Sequence, residues 1–210
     1  AEAVAAPEGR VMARYPKSRW HPIAQPAGRY VAGSPWKIVH HTTEGSSPNG
    51  AFTAYATRKC APHFTVNDLG VWQHVYTSVP ARALLNRRGG VETNRLHCVQ
   101  IELVGFAGRD KDRSALALVA ELCRWIELTH NVPKVWPAGP LRWSRDGRGD
   151  PGGHNRDAGI WLSQAGHYGH SQCPENCVEI ETPILCTDLR WVTAEFLSIG
   201  QEVLACQETS

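Results

Sequence analysis

The stretch Trp36-Lys37-Ile38-Val39-His40-His41-Thr42-Thr43-Glu44-Gly45 decides how the rest of the chain reads. Trp36, Ile38 and Val39 are aromatic and β-branched, the composition of a short buried strand. The strand ends in two imidazoles and two hydroxyls, and Gly45 releases the chain into Ser46-Ser47-Pro48-Asn49-Gly50. An apolar strand with histidines at its mouth is a rigid way to hold a metal ion or a proton acceptor. Taken alone, a His-His pair more often simply ends a strand. A second polar cluster shifts that balance: Gly166-His167-Tyr168-Gly169-His170-Ser171-Gln172-Cys173-Pro174-Glu175-Asn176-Cys177.

Working outward, Ala1–Gly33 is rich in Ala, Pro and Gly and is expected to be an extended arm. Ala51–Lys59 has helical spacing, with Phe52, Tyr55 and Ala56 on one face and Ser46, Ser47 and Asn49 as capping residues before it. His63-Phe64-Thr65-Val66 and Val71-Trp72-Gln73-His74-Val75 alternate about Asn67-Asp68-Leu69-Gly70, the pattern of a hairpin. Cys98 to Val104 is a further strand. Its alternation puts Cys98, Gln100, Glu102 and Val104 on one face and Val99, Ile101 and Leu103 on the other. Glutamate is depleted in strands, so Glu102 in mid-strand points to a working carboxylate. Asp112 to His130 is the clearest helix, and Thr187–Leu204 also carries a helical pattern. Trp136 to Gly159 is a long loop of Pro, Gly, Arg and Asp, of the kind that is usually functional or mobile.

The 210 residues suffice for one domain with a real core. The formal charge of +2 gives no strong field, so nucleic acid is not an expected partner. No apolar run is long enough to cross a bilayer, and membrane insertion is not expected. The start lacks Met and a basic-then-apolar leader, which fits a processed or truncated beginning. Eight tryptophans hint at a groove for a flat or sugar-like ligand, although core packing is their commoner use. Seven cysteines leave at least one thiol unpaired or metal-bound if the others pair within the chain. Cys98 and Cys123 read as small buried apolar residues. Cys173 and Cys177 form one tight pair, which without a second is no zinc ribbon.

A hydrolytic zinc site needs three protein ligands and one open position. His40 and His170 are candidates for two of them, and Glu102 for the proton carrier. The order of motifs resembles the type 2 zinc-dependent N-acetylmuramoyl-L-alanine amidases and the peptidoglycan recognition proteins that share their fold. The matching pieces are Ile-Val-His-His-Thr, His-Phe-Thr-Val…Gly-Val-Trp-Gln, Asn94…Gln-Ile-Glu-Leu-Val-Gly and Gly-His-Ser-Gln. They span about Trp20 to Asn176, and Gly166–Asn176 is particularly similar to amidase domains of lysins from phages of actinobacteria.

The resemblance implies an α/β fold, a central mixed sheet flanked by helices with zinc in a groove. It implies that His40 and His170 are ligands, that Glu102 is the catalytic carboxylate, and that His63, Trp72 and Asn94 lie along the substrate. Trp72 stands where amidase-active recognition proteins carry a catalytic Tyr. The family's third ligand, an Asp or Cys before Pro-Gly, has no clean counterpart: Cys177 and Glu179 are the candidates, Cys177 preferred, and Asp150-Pro151-Gly152 precedes His170.

The expected organisation is an arm over 1–33, an amidase-like region over 34–185 and a C-terminal helix over 186–210 packed on it as one domain. The expected activity is hydrolysis of the bond between N-acetylmuramic acid and L-alanine, by a monomer acting on the bacterial cell wall after secretion or phage lysis. A binding module on the same fold is the alternative, and a cysteine hydrolase using Cys177 or Cys173 is a third. His41, next on the strand, faces the other way from His40 and is expected to matter less.

Overall fold

Strand alternation and two capped helices generate most of the architecture. A computed structural model describes residues 13–26, 28–84, 86, 89–107, 109–140 and 156–174, together with the backbone of two short strands at 183–185 and 191–193. The chain divides into two compact units, Ala1–Glu175 and Asn176–Ser210.

In the first unit six strands form one mixed sheet: β1 (Arg19–Trp20), β2 (Lys37–Thr42), β3 (Phe64–Asn67), β4 (Gly70–Gln73), β5 (Cys98–Leu103) and β6 (Gly166–Gly169), in the order β1-β4-β3-β5-β2-β6. Only β3 and β4 pair antiparallel, as the hairpin reading requires; the other neighbours are parallel. The expected α/β fold with a central mixed sheet is therefore present. The arm contributes β1, an edge strand too short to show periodicity.

Helix α1 (Pro48–Arg58) starts earlier than its apolar spacing suggests. Ser47 caps it by accepting from the Gly50 N–H, and Pro48 occupies the first turn, where its missing N–H costs nothing. Helix α2 (Arg113–His130) is capped by Asp112, whose carboxylate accepts from the Ser114 and Ala115 N–H groups, and it ends at Asn131 in the left-handed region. Its buried stripe is Ala115, Leu122, Cys123 and Ile126. That stripe covers Ile38, Phe64, Val66, Val99 and Ile101 on one face of the sheet. Each such side chain, fully buried, stabilises by about 1.5–3 kcal/mol.

On the opposite face α3 (Ala158–Ser163) buries Trp161 against Tyr168, with Val39, Leu84, Leu96, Cys98 and Cys173. Gly166 opens β6 at φ +142°, and a Cβ there would sit 2.7 Å from the Val135 carbonyl oxygen, so only glycine lets β6 pass this loop. The neighbouring His167 N–H donates to the same carbonyl at 2.8 Å.

In the second unit β7 (Pro183–Leu185) and β8 (Trp191–Thr193) pair antiparallel. The helix expected over Thr187–Leu204 is thus a strand at Trp191–Thr193: a β-branched and aromatic triplet pairs there instead of coiling. The rest of that segment, and Asp150-Pro151-Gly152, lie outside the described residues.

Candidate active site

The register of the sheet lays one row of side chains across four strands. Trp72 on β4 lies opposite Thr65 on β3, Thr65 opposite Glu102 on β5, and Glu102 opposite His41 on β2. His170 stands in the one-turn 3₁₀ helix that follows β6. Its Nδ1 lies 2.8 Å from His41 Nδ1, with the two rings perpendicular. Glu102 Oε1 is 4.0 Å from His41 Nδ1. Two ring nitrogens and a carboxylate thus converge at the mouth of the central strands.

Glu102 is 9 % exposed, and its Oε2 has no hydrogen-bond partner among the described residues. Burial, with Glu44 nearby, pushes its pKa up to about 8. His41 is held well below its ordinary value by burial first and by His170 second, so its imidazole is neutral. Tyr55 of α1 belongs to the same environment: burial and then the Glu102 carboxylate raise its phenol.

The adjacent row faces α2. His40 lies opposite Ile101 and Gly169 in the sheet, and its Nε2 is 3.0 Å from His167 Nδ1. Burial and then His167 lower the His40 pKa to about 3. The sequence pairing of His40 with His170 is therefore replaced by two pairs, His41 with His170 and His40 with His167. The cause is the period of two along β2, which sends consecutive imidazoles to opposite faces, together with the register that sets His41, not His40, beside Glu102.

Two expected substrate residues are committed elsewhere. His63 has no exposed surface; its Nε2–H donates to the Val79 carbonyl at 2.9 Å and its Nδ1 accepts from the Gln100 N–H at 3.0 Å. Asn94 is buried and clamps Leu84, its Oδ1 accepting from the Leu84 N–H at 3.0 Å and its Nδ2 donating to the Leu84 carbonyl at 2.7 Å. Both hold loop backbone in place. Trp72 is partly exposed in the row of Glu102 and packs on Phe52.

Cys173 is fully buried, and burial holds its thiol neutral, well above its ordinary range, which removes it as a nucleophile. Cys177 and Glu179 lie outside the described residues. The sequence reading did not single out His167, Tyr55 or Thr65, and it did not place His41 beside Glu102; only the Gly-His-Tyr-Gly-His spacing carried a signal for the first.

No protein-family model matches the sequence, and no curated protein does. Solved structures do match. The Staphylococcus aureus hydrolase AmiA in complex with its ligand aligns with a TM-score of 0.50 at 12 % identity, over 77 % of this chain and 68 % of that one. The chain shares that hydrolase's fold. An AmpD derivative aligns over 80 % of this chain and 90 % of its own at 13 % identity, with a TM-score of 0.48. A Drosophila peptidoglycan recognition protein aligns over 52 % of this chain and 70 % of its own at 15 % identity, with a TM-score of 0.38.

Proposed function

We propose that this chain is a zinc-dependent hydrolase that cuts the amide between N-acetylmuramic acid and L-alanine in peptidoglycan. The observation that carries this reading is the convergence of His41, His170 and Glu102 on one face of the sheet. The fold shared with a hydrolase supports it, as does the ordered set of type 2 amidase motifs in the sequence.

The residues fit a divalent zinc ion: two imidazole ring nitrogens face each other, and a buried carboxylate, one oxygen of which has no partner among the described residues, stands beside them. His41 and His170 would hold the ion, with Cys177 as the third donor and Glu179 as the other candidate. Zinc bound there acidifies a water molecule and polarises a carbonyl. Glu102 takes the proton of the attacking water at its unpartnered oxygen and hands it to the departing alanine nitrogen. Trp72, at the far end of the same row, offers an aromatic plane to a sugar ring. The action belongs at the bacterial cell wall, as a monomeric lysin of a phage of actinobacteria or a secreted enzyme.

The test is digestion of purified peptidoglycan by the zinc-loaded protein. New L-alanine amino termini without new reducing sugar ends, lost on chelation and in His41→Ala and His170→Ala, are expected. Wall binding without new amino termini would instead make the protein a binding module.

A further inference from the structure

We propose that His40, Cys123 and His167 form a second metal site, on the α2 face of the sheet, for a borderline-soft divalent ion of the zinc and cobalt type. It goes beyond the hydrolytic reading and uses none of that site's ligands. One donor atom from each of the three residues lies within 4.8 Å of the other two. The two ring nitrogens, His40 Nε2 and His167 Nδ1, are 3.0 Å apart, and the rings are nearly parallel at 13°. Tetrahedral zinc with bonds of about 2.0–2.3 Å holds its donors roughly 3.3–3.6 Å apart, so small side-chain adjustments bring this set to a shared ion. Two imidazoles and a thiolate select a transition metal over magnesium or calcium, which take oxygen ligands.

The surroundings have the build of a metal site. Glu127, one helical turn after Cys123, accepts from His167 Nε2–H at 3.1 Å and fixes the ring so that Nδ1 points at the shared point. A carboxylate on the far nitrogen of a ligating histidine is a recurrent way to orient and strengthen the ligand. Trp136 stacks on His40 at 5.4 Å between ring centres. A cleft of about 260 Å³, lined by all three donors with Trp136 and Lys134, gives an ion and a fourth, solvent ligand a way in. The donors come from β2, α2 and β6, so an ion there pins the covering helix to two strands of the sheet. It binds the folded chain alone and stabilises it.

Cobalt(II) added to the full chain tests this, because a thiolate ligand gives a sulfur-to-cobalt charge-transfer band in the near ultraviolet. The band is expected in the wild type and in a His41→Ala/His170→Ala double variant, where cobalt should also raise the Tm. It is expected to vanish in Cys123→Ala, and Glu127→Gln should weaken cobalt binding by about 10–100-fold while leaving the fold intact. A wild type without the band at saturating cobalt would overturn the proposal whatever the variants do. So would a band unchanged in folded Cys123→Ala, since the sulfur would then come from another cysteine. Should Cys123→Ala not fold, unchanged cobalt affinity in Glu127→Gln together with His40→Gln would overturn it. Release of L-alanine termini by the wild type is read separately, so failure here leaves the hydrolytic reading standing.

Discussion

The two faces of the central sheet are made by the same strands and have little else in common. Toward α2, β2, β3 and β5 present Ile38, Phe64, Val66, Val99 and Ile101, an apolar bed interrupted by His40 at the end of β2. On the other side the same three strands present His41, Thr65, Gln100 and Glu102, all buried and all polar. The covering explains the difference. Helix α2 is 18 residues long and runs a full apolar stripe over its face. The other face is shared by α1 and the six-residue α3, whose Trp161 packs on Tyr168 and leaves the mouths of the strands to polar groups. A sheet can therefore keep an apolar, stabilising side and a polar side one residue apart, provided the helices on its two sides are unequal.

The sharpest way to break this comparison is to remove one imidazole at a time. His41→Ala should abolish release of L-alanine termini, whereas His40→Ala should retain at least a hundredfold more activity, checked on folded variants at matched zinc. The reverse order would move the reactive face to the α2 side. Next, Glu102→Gln should lower kcat by about 10²–10⁴-fold with zinc content preserved, since it removes the proton carrier alone. Steady-state kinetics with metal analysis decides this, and a fall below tenfold would assign the proton to another group.

On the stabilising face, Phe64→Ala should cost about 3–5 kcal/mol in urea unfolding, because the ring has no exposed surface and packs on Tyr15 and Trp125. A loss under 1 kcal/mol would mean that α2 does not lean on β3.

A smaller effect separates the faces by pH. Burial lowers the His63 pKa to about 3 in the folded chain, against about 6.5 when unfolded. Between those values the unfolded chain binds the extra proton, so stability is complete above about pH 6.5 and falls as pH drops toward 3. The slope from His63 is up to about 1.4 kcal/mol per pH unit. His63→Gln should flatten the pH 7 to pH 5 change in the urea midpoint; an unaltered slope would assign it to other groups. The smallest effect is at the helix cap: Asp112→Ala should cost about 1 kcal/mol by leaving the Ser114 and Ala115 N–H groups without their acceptor. Wall hydrolysis well below the Tm should not change with it.

Much of this was legible in the amino acids. Alternation marks β3, β4 and β5, and the leucine-rich spacing of α2 marks the element that makes one face a core. Alternation also separates His40 from His41, but it is blind to which of them meets Glu102. That depends on the register of β2 against β5, a pairing between distant segments that no local period encodes. The structural duties of the polar residues His63 and Asn94 were not legible for a related reason. Their partners are main-chain groups of Val79, Leu84 and Gln100, and the need of a loop for such partners is invisible until the loop has folded. Glu102 stood out in the sequence because a carboxylate in mid-strand breaks a local rule.

The tandem histidines of β2 have a further consequence, for length variants of the chain. A strand whose register slips by one residue turns over and presents its other set of side chains. In β5 such a slip would put Ile101 or Leu103 where Glu102 stands. In β2 a slip toward the C-terminal end carries His40 into the position of His41, so an imidazole still stands opposite Glu102, while Val39 takes the former place of His40. A slip in that direction is thus buffered on the Glu102 face and exposed on the α2 face, whereas the opposite slip puts Thr42 in the place of His41 and loses the imidazole.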